Sequence, residues 1–186
     1  MKNHTRYLTC AVAALALLVT ISCAPAGATK AGSYADDRAQ IEDLQARYLF
    51  ALDFFDMDTY VSTFTEDGVL DIIAYQANGR DEIRQRLEEA RGVFDPASES
   101  EGGPYPPTGR HNITNIVIKV DGDRAVSRSY WFHYGNNNPE RRAQIDSYGH
   151  YEDELVKVEG QWLFSKRVIY NEQVADWIAP TTNPAW

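Results

Sequence analysis

One carboxylate in this chain stands where a carboxylate is costly. Asp53 has Leu49, Leu52, Phe54 and Phe55 for neighbours, and an ionised side chain withdrawn from water among them must be paired, hydrogen-bonded or protonated. The plainer alternative is that Asp53 ends a helix in a solvated bend. Three histidines, His111, His133 and His150, fall in segments that read as strands. A strand histidine is more often a surface or hydrogen-bonded residue than a catalyst. An imidazole beside a buried carboxylate is nevertheless a general base for neutral pH. The carboxylate fixes its tautomer and stabilises the imidazolium, and such proton transfer contributes roughly 10²–10⁴-fold. Other chemistries have less support. There is no His-x-His, His-Glu-x-x-His or cysteine cluster, so no metal is expected, and no Gly-x-Ser-x-Gly elbow for a serine nucleophile.

Helices come first. From Asp36 to Phe55, Ile41, Leu44, Tyr48, Leu52 and Phe55 recur at helical spacing. Ala46, Leu49, Phe50 and Phe54 make the second half apolar on nearly every side, which predicts burial all round. On a helical wheel Asp53 lies well round from Tyr48. Asp58 is expected to cap a short second helix, and Glu66-Asp-Gly68 to turn into a strand over Val69–Tyr75. Asn78-Gly79-Arg80 is a turn, and Asp81 is expected to cap a third helix through Ala90, anchored by Ile83 and Leu87.

Gly92 to Gly109, rich in Pro, Gly, Ser and Glu, reads as a long loop. Beyond it the period becomes two, giving strands over His111–Val120, Arg124–Tyr134, Ile145–Val158 and Gln161–Asn171. Asp121-Gly122-Asp123 and Glu159-Gly160 supply hairpin turns. Alternation puts Ser129, Trp131 and His133 on one face with Tyr130 and Phe132 on the other, and sets Tyr151, Asp153 and Leu155 opposite His150 and Glu152. Helices followed by a meander of strands predict an α+β domain, with helices on one face of a curved antiparallel sheet and a pocket at its mouth.

Residues 1–28 have the layout of a secretory signal. Lys2 and Arg6 are followed by an apolar run from Leu8 to Ile21 and by small residues to Ala28. The apolar core is short for a membrane span, and no other transmembrane segment is expected. Cleavage after Ala28 is the favoured exit. Thr20-Ile-Ser-Cys23 also resembles a loose lipobox, which would leave Cys23 as a lipid anchor. Either exit implies export, to the periplasm or beyond, of a single domain over 29–186. Cys10 and Cys23 both lie in the signal, so the domain rests on its packed core rather than on disulfides. The formal charge is −9. An acidic chain without a basic stripe argues against nucleic acid and against anionic membrane surfaces.

Several motifs carry a family resemblance. Ile41-Glu-Asp-Leu44, Tyr48, Asp53 and Phe64-Thr-Glu-Asp-Gly68 resemble the opening of SnoaL-like proteins, of the nuclear transport factor 2-like superfamily. Gly109-Arg-His111-Asn-Ile-Thr-Asn115 resembles their central strand. Tyr151-Glu-Asp-Glu-Leu155 and Gly160-Gln-Trp162-Leu-Phe-Ser-Lys-Arg167 resemble their closing hairpin. The resemblance spans Asp36 to Tyr170 and implies a cone-shaped α+β barrel. Within the superfamily the pattern is similar to scytalone dehydratase, hexachlorocyclohexane dehydrochlorinase and bile-acid 7α-dehydratase. It implies that Asp53 and His111 form a catalytic pair as in the dehydrochlorinase, and that Tyr48 matches a tyrosine of the bile-acid dehydratase. It also implies that Arg167 stands where the dehydrochlorinase has a pocket cation, and that Trp131, His133 and Tyr151 line the pocket. The Asp–Arg–Asp set of the superfamily's epoxide hydrolases finds no counterpart. The signal and the long loop depart from the cytosolic dehydratases.

The expectation is therefore a cofactor-independent lyase, a dehydratase or dehydrohalogenase, acting on a small hydrophobic cyclic molecule. His111 polarised by Asp53 is the base, with Tyr48, helped by Arg167 or His133, steadying negative charge or protonating the leaving group. An isomerase with the same base is the alternative within that chemistry, and an exported carrier of small apolar ligands is the alternative outside it. The resemblance further implies a homotrimer or homodimer packed through the sheet.

Overall fold

The computed structural model describes residues 33–73, 75–90, 109–136, 138–174 and 182–186. The expected signal, residues 1–28, and residues 92–108 of the expected loop lie outside these. Gly109, the last residue assigned to that loop, is instead the first residue of a strand.

Helix α1 runs over Tyr34–Asp53. Ser33 caps it, accepting from the Asp36 N–H while the Asp36 carboxylate bonds back to the Ser33 N–H, a reciprocal capping box. Ile41, Leu44, Tyr48, Leu49 and Leu52 are buried. The expectation of burial all round is corrected: Phe50 is 66% and Phe54 56% exposed. Their rings stack on each other outside the domain at 6.4 Å, and the Arg110 guanidinium covers Phe54. One helix face meets the sheet, and the opposite apolar residues have nothing to bury against.

Helix α2, Met57–Ser62, is capped by Asp56 rather than Asp58, through the Thr59 N–H. Strand β1 covers Phe64–Asp71, so Glu66-Asp-Gly68 lies within the strand, as an irregularity in its pairing, and not before it. Strand β2 is Gln76–Asn78 and helix α3 is Gly79–Glu89, buried through Ile83 and Leu87. Its backbone cap is Asn78, three residues before the cap expected at Asp81, with no side-chain cap bond. Strands β3 (Gly109–Asp121), β4 (Arg124–Gly135), β5 (Gln144–Val158) and β6 (Gln161–Asn171) follow. Glu159 and Gly160 both have positive φ, 51° and 83°, as a two-residue hairpin turn with right-handed strand twist requires.

The sheet order is β2-β1-β6-β5-β4-β3. Every neighbouring pair is antiparallel except β1–β6, which is parallel. The chain returns to the first strand's side after four long strands, and a meander alone could not show that pairing. Register slips in β3–β4 between Thr114 and Val117, in β4–β5 between His133 and Tyr134, and in β5–β6 between Glu154 and Leu155. Each slip bends its strands and tightens their twist, curling the sheet around α1, which packs on β3 and β6. This is the α+β arrangement expected. Among the described residues no helix is long and apolar enough to cross a membrane.

The start of α1 is anchored to the closing hairpin by charge. Buried Asp37 accepts from Trp162 Nε1 at 3.0 Å and pairs with Lys157. Burial alone would raise its pKa, but the bonds from Lys157 and Trp162 outweigh that and hold it below the usual value. A carboxyl depressed on folding adds stability above its unfolded pKa and loses it as pH falls through the lowered range. Asp37→Ala should therefore cost about 2 kcal/mol at neutral pH. Urea unfolding at stepped pH should show the gap between variant and parent closing as the solution is acidified.

Candidate functional site

Asp53 is the last residue of α1, and the way the helix stops places it. The Asp56 N–H bonds back to the Ala51 carbonyl at 2.8 Å and the Phe55 N–H to that of Leu52 at 3.1 Å, the paired bonds of a Schellman ending. The left-handed position of that motif normally takes glycine. Here Phe55 occupies it with φ 55°, and its side chain packs against the hydrophobic core. Core contact holds a conformation the backbone alone disfavours, and the helix ends at a fixed residue.

The Asp53 carboxylate then meets the opening of β3. His111 Nδ1 lies 2.6 Å from Asp53 Oδ1, and the His111 backbone N–H approaches both carboxylate oxygens, at 3.0 and 3.2 Å. The carboxylate side chain is 6% exposed and the imidazole 14%. A carboxylate only accepts, so Nδ1 carries the hydrogen and Nε2 is the basic nitrogen of the neutral ring. The arrangement joins helix to strand and also defines a tautomer.

From His111 the remaining residues singled out in sequence follow in one run of ring contacts. The His133 ring is 4.5 Å away, across the β3–β4 pair. Trp131 is at 6.1 Å and stacks on Tyr151 at 5.8 Å. Tyr151 meets Tyr48 edge-on at 6.4 Å, and the Arg167 guanidinium lies 4.2 Å from the centroids of both tyrosines and 4.1 Å from Phe164. Asp53 and Tyr48, apart on a helical wheel, are thus joined through side chains of the sheet.

The run has two ends of different character. His111 and His133 retain exposed surface, whereas Tyr48, Tyr151 and Arg167 are buried in the core. The Trp131 indole N–H is occupied by the Tyr170 carbonyl at 3.0 Å, so Trp131 presents apolar surface alone. Gly149 makes room for that geometry, since a Cβ there would sit 1.9 Å from the Tyr170 carbonyl oxygen.

The floor is a buried charge network that residue types alone did not disclose. Arg167 Nε and Nη2 donate to the two oxygens of Asp153 at 2.8 and 2.9 Å, and both side chains are fully buried. Ser127 Oγ donates to Asp153 at 2.9 Å and Gln45 Nε2 at 3.3 Å. Desolvation would lower the Arg167 pKa, but Asp153 overrides it and the value is raised. Tyr48 is held above its usual pKa by burial, with Arg167 opposing, and accepts a 2.6 Å bond from Tyr60. Burial, reinforced by Tyr48, pushes Tyr60 and Tyr151 further up. All three phenols are therefore neutral around neutral pH.

The alternation already placed Asp153 on the face shared by Tyr151 and Leu155. A carboxylate on a core-facing position demands a cation, and Arg167 stands opposite it in register. Asp146, 2.5 Å from His133 Nδ1, was not singled out, because it falls where the strand alternation slips.

Removing one partner of a buried ion pair strands the other charge. Asp153→Ala should cost about 3–5 kcal/mol in chemical unfolding, and the double variant Asp153→Leu, Arg167→Met markedly less.

Sequence and structure comparisons agree with this architecture. The profile of the SnoaL-like domain matches residues 33–168. An uncharacterised Mycobacterium tuberculosis protein is 28% identical over 134 residues, covering 71% of this chain and 83% of its own. A Novosphingobium aromaticivorans structure described as a candidate scytalone dehydratase superposes with a TM-score of 0.59 at 27% identity, covering 80% of this chain and 92% of its own. A Nostoc punctiforme protein with a cystatin-like fold superposes with a TM-score of 0.61 at 25% identity, covering 75% and 92%. With the profile spanning most of its length, the chain belongs to the SnoaL-like domain family.

Proposed function

We propose that this protein is a cofactor-independent lyase, of dehydratase or dehydrohalogenase type, acting on a small hydrophobic cyclic molecule. The observation that carries the reading is the short contact between the Asp53 carboxylate and His111 Nδ1, both side chains being largely withdrawn from water. His111 Nε2 removes a proton from carbon next to the leaving group or a carbonyl, and Asp53 balances the charge the ring gains. The aromatic faces of Trp131 and Tyr151 favour an apolar ring.

Ser129, on the same strand face, is buried with its hydroxyl unpaired among the described residues. A ligand hydroxyl or carbonyl would satisfy it, which supports an oxygenated substrate and a dehydration. Tyr48 and Arg167 act from beneath. The fixed guanidinium lends positive potential to the tyrosines above it, and such preorganised charge is usually the largest catalytic term.

The candidate scytalone dehydratase among the structural neighbours makes scytalone the first probe, alongside a native mass spectrometry screen for other ligands. On a turned-over ligand, His111→Ala and Asp53→Asn should each lower the rate by about 10²–10⁴-fold with the fold retained. Wild-type turnover by either variant would sink the mechanism. Solvent deuterium entering the ligand with no loss of water or halide would instead identify an isomerase, and a tightly held ligand that exchanges no proton would identify a carrier.

The outer sheet face supports self-association as part of the same reading. Tyr130, Phe132, Ile145 and Tyr148 line an open groove of about 690 Å³, and Tyr130, Ile145 and Tyr148 are exposed, apolar side chains that a second copy of the chain would cover. Sedimentation should give a homodimer or homotrimer. Ile145→Asp should shift it to monomer, and a monomeric parent would refute the assembly.

A further inference from the structure

We propose that Asp146 is a positioning residue that holds His133 as a second imidazole–carboxylate unit beside His111, so that the site donates a proton as well as accepting one. The inference rests on the lyase reading for its chemistry and on independent geometry for its structure.

The first observation is the register. Tyr134 pairs with Ile145 and His133 with Ser147 across β4–β5, so Asp146 is the extra residue of a bulge. Strand alternation would put neighbouring side chains on opposite faces, and a bulge breaks that rule and re-aims one of them. Here it turns Asp146 to His133, with Oδ1 2.5 Å from Nδ1.

The second observation is the seat. Gly109 and Gly135 face each other in the β3–β4 pair. A Cβ on Gly109 would fall 2.1 Å from His133 Nε2, and one on Gly135 would fall 2.7 Å from Asp146 Oδ2. Two glycines at a cross-strand pair weaken a strand and leave no side chains to pack. Here they leave the volume that the imidazole and its carboxylate fill. The third observation is proximity: the rings of His111 and His133 are 4.5 Å apart, tilted by 45°.

An elimination needs both directions of proton transfer. The C–H proton goes to His111 Nε2, its electron pair becomes the C=C bond, and the C–O bond breaks. The departing oxygen takes the proton of His133 Nε2–H, and the Asp146 carboxylate balances the positive ring before that donation. His111 then holds the proton His133 has lost, and transfer between the adjacent rings restores the starting state with water as the only by-product. No oxidant, reductant or co-reactant enters.

Long-range ¹H–¹⁵N spectra of the ¹⁵N-labelled full chain test the positioning role whether or not any substrate is known. At a pH high enough that both rings are neutral, His111 and His133 of the parent should each carry their one hydrogen on Nδ1. Asp146→Ala should move His133 to the Nε2–H tautomer, the one free imidazole prefers, while His111 keeps Nδ1–H. Asp146→Asn, which retains an acceptor oxygen, should keep the Nδ1–H pattern. Gly109→Ala should displace the ring and reproduce the effect of Asp146→Ala with the carboxylate still present. If His133 shows the Nε2–H tautomer in the parent, or the same tautomer in parent and Asp146→Ala, the inference is overturned even where His111 proves essential. A normal His133 pattern alongside full activity of His111→Ala would reject the lyase and leave the positioning intact.

Discussion

The geometry of the site depends on one carboxylate bonded at once to a side chain and to the backbone of the same residue. Asp53 takes the His111 N–H and the His111 ring together, so the end of α1, the start of β3 and the imidazole tautomer are settled by a single group. Were the carboxylate bound to the ring alone, the imidazole could turn about its own side-chain bonds and take the contact with it. The backbone bond removes that freedom, and the Phe55 ending removes the corresponding freedom of the helix. Rigid elements on both sides hold carboxylate and imidazole in one relative position, the precision that the proposed proton transfer would need.

Charge is layered in the molecule. At the floor Arg167 and Asp153 are fully buried and doubly bonded, with Ser127 and Gln45 on the same carboxylate. A buried pair of this kind contributes little net stability against a hydrophobic equivalent. Three aromatic rings are drawn to the guanidinium, and an apolar floor would have no such effect on Tyr48 and Tyr151. At the exposed end the ionisable groups are the imidazoles of His111 and His133, each set against a carboxylate. The fixed ion pair lies in the core, and the two imidazoles lie where some side-chain surface stays exposed.

The fold was legible where one local pattern ruled. The four long strands and their turns follow from period two and from Glu159-Gly160, and the observed ends differ from the expected ones by at most two residues. Legibility failed where tertiary contact overrode local preference. Glu66-Asp-Gly68 looks like a turn but is the irregular stretch of β1 between Phe64 and Val69, which both pair with the parallel strand β6 far along the chain. Phe50 and Phe54 look like core, yet the sheet covers only one side of α1. The candidate site divides in the same way. Asp53 and His111 were conspicuous as residue types out of place, and the structure sets them in contact, while Asp146 was hidden because finding it needs the register of β4 on β5.

A bulge is the common device behind both the bend of β5 and the placement of Asp146. A regular ladder would have sent the residue before Ser147 to the outer face, among Tyr130, Phe132 and Tyr148, and His133 would have faced bare sheet. One extra residue bends β5 and delivers Asp146 to the inner face in the same stroke, so the feature that closes the sheet around α1 also furnishes the second imidazole with its carboxylate. Shape and reactivity are therefore coupled at this point. A substitution that restores regular pairing would take Asp146 away from His133, so the placement of that carboxylate depends on backbone register as much as on side-chain type.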